Sequence, residues 1–63
     1  MLRNKLKQKR EAANLSQHQL GALTGFSQTW IWQIEASVAR GSDEAREKIA
    51  DALNCSVGEI WGE

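Results

Sequence analysis

Residues 17–35 read QHQLGALTGFSQTWIWQIE. Leu20 and Leu23 recur at helical spacing before Gly25, and Phe26, Ile31 and Ile34 do so after it. The reading is two short helices, about Gln17 to Thr24 and from Ser27 onward, joined at Thr24-Gly25-Phe26. Gly25 stands where the backbone must reverse, a position that asks for positive φ. Gly21 stands where two crossing helices come close. Helices joined this tightly cannot lie antiparallel and must cross steeply, as in a helix-turn-helix.

Capping chemistry sharpens the boundaries. Ser16 and Gln19 have capping-box spacing, with Leu15 and Leu20 as a hydrophobic staple. Ser27 is the expected N-cap of the next helix, and Phe26 with Ile31 repeats the staple. On a helical wheel Ile31 and Ile34 face inward, with Glu35 near that side. Gln28 lies at the boundary, Thr29, Trp32 and Gln33 lie outside, and Trp30 lies on the flank.

Working outward, Leu2, Leu6 and Ala13 predict a first helix over about residues 2–13, with Arg10 on the same stripe. A buried arginine there needs an anionic partner. A loop from Ser37 to Ser42 contains Arg40 and Gly41. A fourth helix follows over about Asp43 to Leu53, capped by Ser42 or Asp43, with Ala45, Ile49, Ala52 and Leu53 as its apolar stripe. Ser56 with Glu59 predicts a second capping box, Cys55 with Ile60 a second staple, and Val57 to Trp61 a last short helix. The whole is one all-α domain of five helices spanning residues 1–63.

Composition narrows the function classes. With 63 residues the chain suits one small domain, which buries only about 60% of its unfolded surface. Eight basic and eight acidic residues cancel, but unevenly. Residues 1–10 carry Arg3, Lys5, Lys7, Lys9 and Arg10 with no acid, whereas residues 41–63 hold six acids against Arg46 and Lys48. One end can face phosphates while the other faces away. No apolar run approaches a membrane span. Cys55 is the single cysteine, so the reading is a reducing, cytoplasmic setting without an internal disulfide. His18 has no second ligand at metal spacing, and no nucleophile–base pair is legible, so neither a metal, a cofactor nor an enzyme is expected.

KLKQKR, LSQHQL, TGFSQTWIWQIE and KIADALNCSVGEIW occur in order with ungapped spacing. Together they resemble the lambda repressor/Cro-type helix-turn-helix family, closest to the small Cro and repressor domains of lambdoid phages. The resemblance implies a phage or mobile-element origin and a transcriptional regulator, a repressor, that binds double-stranded DNA. It implies a homodimer on a pseudo-palindromic operator, with helix 3 in the major groove. Carried over by position, Gln17 would contact a phosphate and brace helix 3. Gln28, Thr29 and Gln33 would face base edges, with Ser27 and Trp32 beside them. Arg10 and Glu35 would form an interior ion pair near the DNA backbone, and Arg40 would reach phosphate. A glutamine amide suits adenine, offering a donor and an acceptor to N7 and N6.

Two features depart from the family pattern. Ala36-Ser37-Val38 stands where a glycine is common, and Trp32 stands where small or polar residues are usual. Trp32 would contact a thymine methyl or the backbone, or fill space beside helix 1. Trp61 belongs to the core or, with Val57, to a dimer surface. The alternative function is a protein-interaction module, such as the antitoxin of a toxin–antitoxin pair, which an exposed apolar patch away from helix 3 would favour.

Overall fold

The computed structural model describes residues 4–62, and its helices are α1 (Leu6–Ala12), α2 (Gln17–Thr24), α3 (Gln28–Glu35), α4 (Asp43–Ala52) and α5 (Val57–Trp61). Leu2 and Arg3, which the sequence assigns to the first helix, lie outside the described residues. No strand occurs among the described residues.

Each helix begins where a short polar side chain can accept from its first turn. Ser16 and Gln19 close a full capping box, Ser27 accepts from the Trp30 amide, and Ser42, rather than Asp43, accepts from the Ala45 amide. α1 starts later than the apolar spacing implies. Asn4 Oδ1 accepts from the Leu6 amide at 3.0 Å, while its Nδ2 donates to the Ile34 carbonyl at 2.8 Å. Asn4, one residue before the Lys5 N-cap, thereby braces the start of α1 and ties it to the end of α3.

The ends of α1 to α4 share one device. Leu15, Phe26, Val38 and Cys55 each donate an amide to a carbonyl five residues back: Arg10, Gly21, Gln33 and Ala50. This six-to-one bond needs a left-handed residue just before it. Gly25 supplies that residue after α2, but Asn14, Ser37 and Asn54 supply it elsewhere, with φ of 60°, 61° and 57°. Ser37 thus supplies the left-handed residue after α3 where no glycine stands.

One core unites all five helices. Leu6, Leu20, Ile31, Ile34, Ile49 and Ile60 are essentially inaccessible, with Ala50 beside them. Leu15, Phe26, Trp30, Leu53, Cys55 and Trp61 are among the half-buried residues packed around it. Four sequence expectations need correction. Leu23, expected on the inner stripe of α2, is 62% exposed. At about 100° per residue, Gln17, Leu20, Gly21 and Thr24 define the inward arc, and Leu23 lies about 110° from its centre. Ala13 is exposed and forms the C-cap of α1. α4 ends at Ala52 and is rotated so that Ala50 and Arg46 join Ala45 and Ile49 inside. The second capping box is half made: Ser56 accepts from the Glu59 amide, but the Glu59 carboxylate turns to Lys9, 3.5 Å away.

Gly21 governs the α2–α3 crossing. A Cβ there would lie 2.5 Å from the Phe26 carbonyl oxygen. The close approach is therefore between α2 and the backbone of the turn itself.

Candidate nucleic-acid interface

Ser27 sets the start of α3, and its hydroxyl is occupied by the Trp30 amide at 3.1 Å. That cap orients the first turn so that Gln28 and Thr29 are exposed, while Ile31 and Ile34 anchor the opposite side in the core. Trp30 is held on the flank by a tilted contact with Phe26, ring centroids 4.5 Å apart. Trp32, one turn beyond Gln28, is 50% exposed, and Gln33 is half-buried. The outward face of α3 is thus Gln28, Thr29 and Trp32, with Gln33 at its margin.

α2 is locked to that face through Glu35. Arg10 Nε donates to Glu35 Oε2 at 2.5 Å, and Arg10 Nη2 donates to Oε1 at 3.4 Å. Gln17 Nε2 donates to the same Oε1 at 3.1 Å. Arg10 Nη1 donates to the Leu15 carbonyl at 2.8 Å. The two charged side chains are nearly inaccessible, 9% and 6% exposed. One carboxylate therefore joins α1, α2 and α3, and the interior charge is matched by bonds from both neighbours.

Gln17, Gln28, Thr29 and Trp32 surround an open hollow of about 330 Å³. A smaller one, about 190 Å³, lies between Trp32, Gln17, Glu35, Ala36 and Lys7. Lys7 was legible in the sequence only as one of several helix 1 cations; the fold brings it beside Trp32. Arg40 is exposed but lies elsewhere, beside Lys5 and Arg46 on a third cavity of about 470 Å³. Arg46 is itself buried, donating to the Arg40 carbonyl at 3.3 Å and standing 4.9 Å over the Trp61 ring. Asp43, Glu44, Glu47 and Asp51 form the exposed acidic side of α4.

Other chemistry is sparse. Burial pushes the Cys55 thiol up, Glu59 adds to the effect and Lys9 partly offsets it, which is the opposite of an activated thiolate. His18 is exposed. Among the described residues no cluster of His, Cys, Asp or Glu has the grouping of a metal site, and no helix is long and apolar enough to cross a membrane.

Residues 2–60 match a family model described as a helix-turn-helix domain. No curated protein matches the chain. Among solved structures, the chain is similar to the P22 c2 repressor protein in complex with synthetic operator 9T. The TM-score is 0.85 and the identity 26%, covering 90% of this chain and 86% of that one.

Proposed function

The chain belongs to the helix-turn-helix domain family, of the lambda repressor/Cro type, and on that premise we propose that it is a sequence-specific transcriptional repressor reading the major groove with α3. The observation that carries the reading is the polar outer face of α3 on a fold similar to a repressor bound to its operator. Gln28, Thr29 and Gln33 supply direct readout, and the Gln28 amide pairs with an adenine edge. Ser27 completes the approach of the first turn. Gln17 and the α1 cations meet phosphate, as does Arg40 from the α3–α4 connection. Arg10 acts from the interior. It holds Glu35, which holds Gln17 to α3, so the phosphate-contacting and base-reading residues move as one unit.

A single α3 covers one half-site, so the reading includes a homodimer on a pseudo-palindrome with half-sites about 34 Å apart. Counting Lys5, Lys7 and Arg40 on each protomer gives six cationic phosphate contacts, and log K should fall with log salt at a slope of roughly −5.

The test is selection from a random duplex pool, followed by anisotropy titration of the enriched site with wild type and Gln28→Ala. Loss of one bidentate adenine contact predicts binding about 5- to 150-fold weaker per half-site, with altered preference at one base pair. A pool that yields no enriched site, or a Gln28→Ala variant with unchanged preference, refutes readout by α3.

A further inference from the structure

The cavity of about 470 Å³ beside Arg40 has a chemistry that neither hollow on α3 shares. Its described lining residues include Lys5, Arg40 and Arg46 and no acid. The hollow at Gln28 has no charged lining residue, and the one at Lys7 also contains Glu35. Bonds between elements fix the cavity walls. The Lys5 amide donates to the Ile60 carbonyl at 2.8 Å, which seats the start of α1 on α5. Asn4 Nδ2 donates to the Ile34 carbonyl, which seats it on the end of α3. Arg46 Nε donates to the Arg40 carbonyl, and its guanidinium lies over the Trp61 ring. Arg46 is therefore a positive charge held in place in the wall. The Lys5 and Arg40 side chains are exposed beside it, and half-buried Trp61 and Ala39 add apolar surface.

We infer that this cavity is a regulatory site for a small organic oxyanion, a phosphate or carboxylate head on an apolar body, whose binding excludes operator phosphate from Lys5 and Arg40. The regulatory half rests on the proposed function, which gives those two cations to the DNA backbone; the binding half stands on the cavity alone. The Arg40 guanidinium offers an oxyanion paired N–H donors, and Lys5 offers a movable ammonium. Arg46 contributes the field of a fixed charge. A preformed space of a few hundred cubic ångströms with a few convergent polar groups suits a small ligand. Contact with Trp61 and Ala39 gives an anion with an apolar body the advantage over a bare one. An anion seated among these cations cancels the charge that attracts a phosphate of the duplex, so the two compete.

The probe is phenyl phosphate, followed through the indole N–H signals of isotope-labelled protein. The Trp61 signal is identified as the one lost in Trp61→Phe. On titration it should move and saturate, while that of Trp32, which lines the other two hollows, stays. Inorganic phosphate should move the same signal about fivefold more weakly, the effect of roughly 40 Å² of apolar surface left in water. Phenol, which lacks the charge, should leave it in place. Arg40→Gln keeps the backbone carbonyl that Arg46 uses and should weaken phenyl phosphate roughly fivefold, with Lys5→Gln as a second variant. The dispersion of the remaining signals establishes that each variant is folded. The DNA arm titrates the enriched duplex by anisotropy, with ionic strength held constant by sodium chloride. Phenyl phosphate at about ten times its dissociation constant should weaken operator binding about tenfold per half-site. No saturable shift of Trp61, an equal response to phenol, or unchanged affinity in both variants overturns the site. Saturable binding with unchanged operator affinity overturns the competition. A pool without an enriched site overturns the proposed function and with it the regulatory half, and the Trp61 titration still decides the binding half.

Discussion

Removing the Glu35 carboxylate is the most informative perturbation of this fold. In Glu35→Ala, Arg10 Nε and Nη2 and Gln17 Nε2 lose their acceptors together. The Arg10 side chain is only 9% exposed, so its charge cannot be fully rehydrated in place. Breaking a buried pair by deleting one partner costs about 3–5 kcal/mol, most of it the stranded charge. At about 0.05–0.15 kcal/mol per residue, the whole domain is stabilised by roughly 3–9 kcal/mol. One substitution therefore removes about a third of the stability or more. The assay is urea unfolding followed by tryptophan fluorescence, with the midpoint shifting at unchanged slope. Glu35→Gln keeps the shape and one acceptor oxygen and should cost less, about 1.5–3 kcal/mol. Replacing both partners, Arg10→Leu with Glu35→Leu, removes the stranded charge and should recover much of the loss. A Glu35→Ala protein within about 1 kcal/mol of wild type, or a double variant whose cost is the sum of the single ones, refutes the reasoning.

Three further outcomes follow from particular contacts. Gly21→Ala should destabilise despite alanine's helix advantage of about 1 kcal/mol, because its Cβ would sit 2.5 Å from the Phe26 carbonyl and force α2 and the turn apart; a rise in melting temperature would contradict this. Ser37→Gly should stabilise by about 0.5–1 kcal/mol, relieving a left-handed serine at φ 61°, and raise the melting temperature by several degrees. Leu23→Lys should change stability by less than about 0.5 kcal/mol, whereas Leu20→Ala, three residues earlier, should cost about 2–5 kcal/mol in the same denaturation assay.

Whatever is decided within about four residues of chain can be read directly from the residues. Ser16, Ser27 and Ser42 mark helix starts because a cap hydroxyl reaches only its own first turn, and Gly25 marks a reversal because of its own φ. The alternation of α3, Ile31 and Ile34 inside and Gln28 and Thr29 outside, follows from helical geometry alone, so the five-helix architecture and the polar face of α3 were both legible. The roll of each helix and the distant partner that wins a side chain come instead from how the helices pack together. α2 is rolled so that Gly21 meets the Phe26 carbonyl while Leu23, apolar and correctly spaced, faces water. α4 is rolled so that Ala50 and Arg46 are buried. The Glu59 amide keeps its local bond to Ser56, but the Glu59 carboxylate goes to Lys9, fifty residues away. Gln17, eighteen residues from Glu35, and Lys7, on another helix from Trp32, reach their neighbours only when three helices close around Arg10. Periodicity states that a helix has an apolar side; the angle at which neighbours pack decides which residues that side finally contains, and no local rule encodes that angle.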